Sequence, residues 1–217
     1  GEAIGAWALT EPESGSDASA MQTRATRDGD GWRLDGTKQF ITNASVADSV
    51  LVKAVTDPSA GRDGISTFVV DPDDDGFEVT NVWEKMGLNC SPTCEIQLDD
   101  CHLPADRLLG EAGDGWRQTV ETLDGGRISI AALSVGLAQG AYESAAEYAG
   151  EREQFGRPIG EFDAVRDRLV EMYRKTQRAR LLTHEAAWRH DEGEDVTLAS
   201  SLAKLDASEA AREVAES

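Results

Sequence analysis

The sequence has few cysteines, no long apolar segment and no basic leader. Three of its 217 residues are cysteine, and this odd number favours reduced thiols in a cytoplasm over a disulfide framework. No apolar run approaches the about 18 residues that a membrane span requires. The first residues carry no basic segment of the signal-peptide type, and the chain does not begin with Met. We therefore expect a cytoplasmic protein with no membrane span.

The three thiols raise the question of a metal site. Cys90, Cys94 and Cys101 are followed directly by His102, so four potential ligands lie close together in the sequence. Their spacing matches none of the usual zinc patterns, and the segment is typical of strand and turn. We expect no metal.

Basic residues are also scarce, and lysine is especially so. The chain carries 41 Asp and Glu against 21 Lys and Arg, which gives a formal net charge of -20. So negative a surface repels phosphate backbones and argues against nucleic acid as a partner. The few lysines are Lys38, Lys53, Lys85, Lys175 and Lys204. Excess acid with little lysine suits a halophilic cytoplasm, where salt screens the self-repulsion, although an ordinary acidic protein stays an alternative.

The first half of the chain, residues 1–113, is typical of β-structure. Short runs rich in β-formers alternate with turn signals such as Asp28-Gly29-Asp30-Gly31, Asp35-Gly36 and Asp57-Pro58. The predicted strands are residues 32–41, Ser49–Val55, Ile65–Val70, Phe77–Val82 and residues 94–98. Short strands at this regular spacing, without helices between them, predict an antiparallel barrel or sandwich.

The second half, residues 114–217, has helical periodicity. Apolar residues recur at three- and four-residue steps at Ile130, Leu133, Leu137, Ala141, Ala145 and Tyr148. A second such helix follows the interruption at Gly156-Arg157-Pro158, and a third begins near Thr197 and is still running at Ser217. We expect an α+β protein in which a β-barrel or sandwich domain precedes an incomplete α-helical bundle domain.

Four segments carry candidate binding residues. The first runs from Trp7 through Thr10 to Ser16 and Asp17, a strand that enters a turn rich in hydroxyl groups. Such turns expose N–H groups that can receive an anionic or carbonyl-rich ligand. The alternative is a plain surface turn.

The second segment is Phe40-Ile41-Thr42, followed by Asn43. An aromatic side chain at the end of a strand can stack on a flat ring, and Thr42 can hydrogen-bond a ring edge. The alternative is an ordinary strand that packs Phe40 into the core.

The third segment, Leu123-Asp124-Gly125-Gly126-Arg127, is predicted to open the first long helix. A helix N-terminus attracts anions, and Arg127 could bind a phosphate or a carbonyl. The alternative makes Asp124 an N-cap and Arg127 a solvated side chain.

The fourth segment spans residues 151–159 and is predicted to be a helix end, a tight turn and a restart. Its polar side chains Arg152, Gln154 and Arg157 could meet a pyrophosphate. The alternative is a hairpin of two helices whose polar side chains have no binding role.

In order and content, these segments resemble the acyl-CoA dehydrogenase family over essentially the whole chain. The family pattern Leu-Thr-Glu-Pro-x-x-Gly-Ser-Asp is present at residues 9–17, and Asn-Gly-x-Lys-x-Trp/Phe-Ile-Thr-Asn is matched at residues 36–43, with Asp35 replacing the first Asn. Ser91-Pro92-Thr93, Leu109-Gly110-Glu111, the helix 136–139 and the segment 152–159 follow in family order.

The resemblance implies FAD as the cofactor and acyl-CoA as the substrate. It implies cofactor contacts at Trp7, Ala8, Leu9, Thr10, Gly15, Ser16, Phe40, Ile41, Thr42, Arg152, Gln154, Phe155, Phe162 and Asp163. It implies substrate contacts at Ser16, Asp124 and Arg127. The residues from Arg152 to Asp163 would reach the FAD of a neighbouring subunit, in a homotetramer built as a dimer of dimers.

The implied reaction is α,β-dehydrogenation of a fatty acyl thioester in fatty-acid or amino-acid breakdown, with an electron-transferring flavoprotein as the acceptor. The context of Arg127 most resembles short-chain members. The resemblance places the catalytic base beyond Ser217, since the other family position for it is Gly126 here, and it implies an N-terminal helical domain that is absent. The alternatives are an acyl-CoA oxidase-like or nitroalkane oxidase-like flavoenzyme, or a catalytically inactive scaffold.

Two residues depart from the family pattern. Asn89 stands where an arginine usually precedes the Ser-x-Thr stretch, and Asp163 stands where a glutamine is usual. A carboxylate near a pyrophosphate is repulsive, and high salt would soften that repulsion.

Overall fold

Seven strands form one sheet in the first half of the chain. The computed structural model describes all 217 residues and divides into two compact units, Gly1–Thr119 and Val120–Ser217. The strands are β1 Gly5–Ala8, β2 Arg24–Asp28, β3 Gly31–Thr42, β4 Ser49–Val55, β5 Ile65–Val70, β6 Phe77–Val82 and β7 Thr93–Leu103. A strand was predicted at Trp7, which lies within β1, but β2 was not predicted because its sequence, Arg-Ala-Thr-Arg-Asp, is highly charged.

The sheet is mixed, not purely antiparallel. Its order is β1-β4-β2-β3-β7-β6, with β5 pairing with β4. Strand β1 pairs with β4 in parallel, and β2 touches β4 in parallel at a single register position. The other pairings are antiparallel, as expected. The parallel pairing brings β1, which leads into the Thr10 turn, into the same sheet as β3.

Strand β3 carries the irregularity that shapes the cleft described below. Its register against β7 shifts between Lys38, opposite Ile96, and Ile41, opposite Cys94, so one extra residue is accommodated on β3. Phe40 lies in this bulge with a φ of 59°. Because a bulge breaks the in-out alternation, Lys38 and Ile41 are both buried while Phe40 is exposed.

The predicted turn at Asp35-Gly36 is wrong, because both residues lie inside β3. Gly36 has a φ of 153°, and a Cβ there would lie 2.5 Å from the Thr23 hydroxyl oxygen. The glycine therefore allows β3 to approach Thr23, the residue before β2, closely, and it does not reverse the chain.

Apolar residues from all seven strands form the core of the first unit, and β6 contributes the partly buried Phe77 and Val79. Trp32 on β3 meets Phe68 on β5 edge to face, with ring centroids 5.2 Å apart. Around them lie fully buried residues of the neighbouring strands, among them Leu34, Val50, Ile96 and Leu98. This core fixes the strands whose ends carry the candidate site.

The second half of the chain is helical, as predicted. Helix α1 spans Gly115–Glu151, α2 spans Asp163–Asp191 and α3 spans Thr197–Ala215. The start of α3 at Thr197 matches the prediction, and the α+β class is confirmed. None of the three helices combines the length and the apolar character that crossing a membrane demands.

The helical unit has a core built largely from small residues. Its buried alanines come from all three helices: Ala131, Ala138, Ala179, Ala186, Ala203, Ala207 and Ala210. Small side chains allow helix axes to approach closely, so the helices of this unit pack through close backbone contact and not through large apolar side chains.

Two predictions about helix ends are wrong. Helix α1 begins at Gly115, so Leu123-Asp124-Gly125-Gly126-Arg127 lies within the helix and Asp124 is not its N-cap. The Gly-Gly pair suggested a helix boundary, but each glycine costs a helix only about 1 kcal/mol relative to alanine. The segment after α1 is also not a helix hairpin, since β8 Glu153–Gln154 and β9 Arg157–Pro158 form a two-stranded hairpin before α2.

Candidate functional site

A cleft in the first unit brings together most of the residues predicted to contact a flat ring. It has a volume of about 400 Å³. Its lining consists of Gly5, Ala6, Trp7, Leu9, Thr10, Phe40, Ile41, Thr42 and Asn43. The two sequence segments that form it are joined directly, because the backbone N–H of Gln39 donates to the carbonyl of Thr10 at 2.8 Å.

The exposed ring of Phe40 is the main apolar surface of the cleft. The bulge in β3 turns this side chain outward, and it is 56% exposed. The alternative in which Phe40 packs into the core is therefore wrong, because simple alternation from Leu34 would have pointed it inward and the extra residue reverses that direction. A planar aromatic ligand can stack against a ring presented in this way.

Hydroxyl groups supply the polar part of the lining. Thr10 and Thr42 make no side-chain hydrogen bond within the protein, so both hydroxyls are available to a ligand. The lining contains no carboxylate, imidazole, amine or thiol. The cleft can therefore bind and orient a ligand, but it offers no group to accept a proton from one.

A buried ion pair supports one wall of the cleft. The Lys38 ammonium lies 2.8 Å from Glu11 Oε1 and also donates to the carbonyl of Leu9 at 3.1 Å. The same carboxylate accepts hydrogen bonds from the backbone N–H groups of Gln22 and Thr23, at 2.5 and 3.0 Å. Glu11 therefore connects the turn after β1 to β3 and to the segment before β2.

The electrostatics of the pair follow from burial and mutual attraction. Burial lowers the pKa of Lys38 to about 8, although the charge and hydrogen bond of Glu11 oppose this shift. For Glu11, burial raises the pKa, but the Lys38 charge and the hydrogen bonds from Gln22, Lys38 and Thr23 outweigh it, so the net pKa is lowered. Sequence reasoning missed both residues as a pair, because 27 positions separate them.

Three of the residues predicted for the first segment lie outside the cleft lining. Ala8 is completely buried in the core of the sheet. Gly15 and Ser16 are exposed directly after the turn that the Glu11–Ser14 backbone hydrogen bonds close, and neither lines the cleft. Ligand contact at Ala8, Gly15 and Ser16 stays a prediction.

The residues predicted at the fourth segment cluster on the β8–β9 hairpin and the start of α2. Phe155 is 94% exposed at the hairpin tip, where it has a φ of 52°. Its ring centroid lies 6.0 Å from that of Phe162, and the Arg157 guanidinium lies 4.2 Å from the Phe162 ring. Arg152, Gln154 and Asp163 are exposed around this aromatic cluster. An exposed phenylalanine and an arginine form a surface suited to a nucleotide or a partner chain.

Asp124 and Arg127 pair with each other within helix α1. Their side chains meet at 2.5 Å, and the other Asp124 oxygen accepts a hydrogen bond from the Thr197 hydroxyl at 2.9 Å. Asp124 is nearly buried, so it joins α1 to the start of α3. This structural role was not anticipated from the sequence and does not depend on a ligand.

The cysteines do not form a ligand cluster. Cys90 is exposed, whereas Cys94 and Cys101 are buried in strand β7 as free thiols. Burial raises the pKa of Cys101 to about 11, with Asp74 and Asp35 adding to the effect. No group of three His, Cys, Asp or Glu side chains is placed to hold a metal ion.

Comparison with known proteins decides the family. Residues 6–101 match the model of the acyl-CoA dehydrogenase middle domain, and residues 113–217 match that of the acyl-CoA dehydrogenase C-terminal domain. The chain belongs to the acyl-CoA dehydrogenase family. A probable acyl-CoA dehydrogenase of Mycobacterium tuberculosis is 45% identical over 213 residues, which are 98% of this chain and 55% of the relative.

Solved structures of the acyl-CoA dehydrogenase family share the fold. Butyryl-CoA dehydrogenase from Megasphaera elsdenii superposes with a TM-score of 0.93 at 40% identity, covering 98% of this chain and 56% of that one. A structure described as the electron transferring flavoprotein of Acidaminococcus fermentans, in work on flavin-based electron bifurcation, gives 0.93 at 44% identity, covering 98% and 56%. The chain thus spans about half the length of the relatives that it matches.

Proposed function

We propose that this chain supplies the flavin-ring and acyl-CoA contacts of an FAD-dependent acyl-CoA dehydrogenase, which converts acyl-CoA thioesters to trans-2-enoyl-CoA. The observation that carries the proposal is the cleft, where six predicted cofactor residues from two separate segments meet. Family membership supports the redox class of the reaction, since relatives such as the Mycobacterium tuberculosis protein are named as probable acyl-CoA dehydrogenases. Bound FAD would supply the acceptor for the hydrogen that leaves the β-carbon as hydride.

The residues of the cleft fit a flavin ring. Trp7 and Phe40 would contact its apolar faces, and the Thr10 and Thr42 hydroxyls, which lack partners within the protein, would hydrogen-bond its polar edge. The Glu11–Lys38 pair would keep Leu9 and Thr10 in place beside Phe40. These residues would bind and orient the flavin ring. In flavin enzymes the cofactor carries out the redox chemistry, and the protein contributes binding and orientation.

The base that removes the α-proton is not, in our proposal, among these 217 residues. The cleft lining has no proton acceptor, and Glu11, the nearest carboxylate in the sequence, is buried and engaged by three donors. Gly126, at the other family position, has no side chain. A base must lie within hydrogen-bonding distance of the proton that it removes.

This division of roles gives a first prediction. The 217-residue chain in high salt should bind FAD, with quenching of flavin fluorescence, yet anaerobic butyryl-CoA should leave the flavin absorbance unchanged. Phe40→Ala should weaken FAD binding about tenfold by removing the exposed ring. Val46→Ala, at an exposed residue outside the cleft lining, is the matched control and should bind FAD normally.

Two results would contradict parts of the proposal separately. Failure of the folded chain to bind FAD at any salt concentration would overturn the assignment of the cleft. Bleaching of bound flavin by butyryl-CoA would show that these residues do contain a base. Rapid reoxidation by air of chemically reduced flavin would instead favour the oxidase-like alternative.

For the helical unit we propose contacts with the substrate and with a neighbouring subunit. Asp124 and Arg127 would meet the acyl-CoA chain. For the first unit we separately propose Ser16 as a contact with acyl-CoA. The hairpin cluster of Phe155 and Phe162, with Arg152, Gln154 and Asp163, would reach the FAD of a neighbour in a homo-oligomer, a dimer of dimers. The high exposure of Phe155 supports an intermolecular role.

A short-chain substrate and an electron-transferring flavoprotein as the acceptor complete the proposal. The fold is shared with butyryl-CoA dehydrogenase from Megasphaera elsdenii, which supports the short chain. The Acidaminococcus fermentans neighbour, described as an electron transferring flavoprotein, supports the acceptor.

We further infer that the protein works in a high-salt cytoplasm, and this gives a second prediction. Because the net charge is -20, raising KCl from about 0.1 to about 2 M should raise the thermal midpoint by more than about 5 °C. Sucrose of equal osmolality is the control, since it does not screen charge. A midpoint that is unchanged or lower in KCl would contradict the inference.

A further inference from the structure

Phe40 has one aromatic neighbour, and that neighbour lies outside the cleft. The ring of Trp83 lies 5.6 Å from that of Phe40, centroid to centroid, with 41° between the planes. Trp83 follows β6 directly, and it does not line the cleft. The tryptophan ring therefore contacts Phe40 without forming part of the cleft lining.

Phe40 needs such support because its own backbone does little to fix its side chain. It lies in a bulge at a φ of 59°, and more than half of its side chain is exposed. An exposed side chain at such a site has several rotamers open to it, and a second ring restricts them. Trp83 is the only aromatic side chain that contacts it.

Trp83 is itself held in place by the loop that carries it. Its backbone N–H donates to the carbonyl of Thr93 at 2.8 Å, which extends the pairing of β6 with β7 by one residue. Two positions later, the Lys85 ammonium donates to the carbonyls of Leu88 and Ser91, at 3.0 and 2.5 Å, and closes the loop. The backbone that carries the tryptophan is therefore fixed beside Phe40.

We propose that Trp83 is a positioning residue: it holds the Phe40 ring in the orientation that presents one face to a planar ring in the cleft. The proposal rests on the flavin-binding function proposed above, because it specifies how one contact of that site is organised. Trp83 acts through Phe40 and does not touch the ligand.

The test measures binding of FAD and of riboflavin, which is the ring system without the pyrophosphate, to folded variants of the 217-residue chain. Trp83→Leu keeps apolar bulk but removes the ring, and it should weaken both ligands about fivefold. Trp83→Phe should restore most of the affinity. Trp188→Ala, at an exposed tryptophan of α2, is the matched control and should leave the affinity unchanged.

A double-mutant cycle separates positioning from direct contact. If Trp83 acts through Phe40, then Trp83→Leu should cause no further loss in a Phe40→Ala background. The visible circular dichroism spectrum of bound flavin should change in Trp83→Leu and should return to the wild-type spectrum in Trp83→Phe. This spectrum reports the surroundings of the flavin ring and does not depend on the overall stability of the protein.

Four results would overturn the proposal. Trp83→Leu could bind both ligands like the wild type. It could instead weaken the binding of FAD alone, which would place the effect away from the ring. An equal further loss in the Phe40→Ala background would make Trp83 a direct ligand contact. A wild-type chain that binds no flavin would overturn the proposed function as well, whereas the other results would leave that function intact.

Discussion

Replacing Glu11 with glutamine is expected to lower the free energy of unfolding by about 4 kcal/mol. The substitution leaves the Lys38 ammonium buried without its counterion, and Lys38 is completely inaccessible to solvent. A glutamine at this position also presents an N–H₂ group where the native carboxylate oxygens accept from Lys38, Gln22 and Thr23. A lone buried charge is among the largest single-residue penalties in a protein.

Chemical denaturation of three variants and the wild type would measure this effect. Glu13→Gln is the matched control, because Glu13 is exposed two residues away and should change stability by less than about 0.5 kcal/mol. The double variant Glu11→Gln with Lys38→Met should recover about half of the loss, since it removes the unpaired charge. A loss in Glu11→Gln no larger than that in Glu13→Gln would contradict the assigned role of the pair.

The same pair sets an acid limit to stability. The folded pKa of Glu11 lies below its ordinary value of 4.5, so the unfolded chain binds the proton more readily. The stabilisation by Glu11 is therefore fully present above that ordinary value and is lost as the pH falls through the folded pKa. Glu11→Gln should lack this part of the acid-induced loss, which a series of denaturation curves between about pH 6 and pH 3 would reveal.

Most of the elements could be predicted from the sequence because local patterns determine them. Runs rich in β-formers between turn signals identified β4, β5 and β6 with their observed bounds, and the start of α3 at Thr197 was predicted correctly. The predicted start of α1 was wrong because a Gly-Gly pair is typical of a helix boundary. In the structure the helical residues on both sides keep Gly125 and Gly126 within the helix. The parallel pairing of β1 with β4 joins residues far apart in the sequence, and no local sequence pattern predicts it.

The candidate site was predicted in part for the same reason. The residue types at Phe40 and Thr42 suggested a ring-binding site, the family resemblance added Trp7 and Thr10 as cofactor contacts, and the structure places all four in one cleft. The direction of Phe40 could not be predicted, because the bulge that turns it outward is visible only in the register with β7. The roles of Glu11 and Trp83 depend on contacts between residues far apart in the sequence.

The first unit contains a second buried lysine, and it has no carboxylate partner. Lys53 on β4 is 2% exposed and donates to the Thr67 hydroxyl at 2.6 Å, to the Gly115 carbonyl at 3.2 Å and to the side-chain oxygen of Gln118 at 3.4 Å. All three acceptors are neutral. Burial, together with the charge of Lys38, lowers the pKa of Lys53 to about 8.

The contrast between the two lysines predicts opposite effects of removing charge. At Lys38 the ammonium is matched by a carboxylate, so disturbing the pair costs stability. At Lys53 the ammonium is stabilised only by dipoles, and a pKa lowered from 10.5 to about 8 corresponds to roughly 3 kcal/mol of cost for keeping the charge. An apolar side chain of similar length avoids that cost, although it gives up the hydrogen bond to Thr67.

Lys53→Met is therefore expected to raise the free energy of unfolding by about 2 kcal/mol at neutral pH. Because the folded pKa of Lys53 lies below that of the unfolded chain, the folded protein binds fewer protons between about pH 8 and pH 10.5, and wild-type stability rises with pH across that range. Lys38 contributes to this rise in both proteins, so only the contribution of Lys53 should be missing from the variant. The plots of unfolding free energy against pH for the wild type and the variant should converge at high pH.

Lys204→Met, at an exposed lysine of α3, is the control: it removes the same formal charge and should change stability by less than about 0.5 kcal/mol at every pH. A destabilised Lys53→Met at neutral pH would mean that the hydrogen bonds to Thr67 and Gly115 outweigh the cost of burying the ammonium.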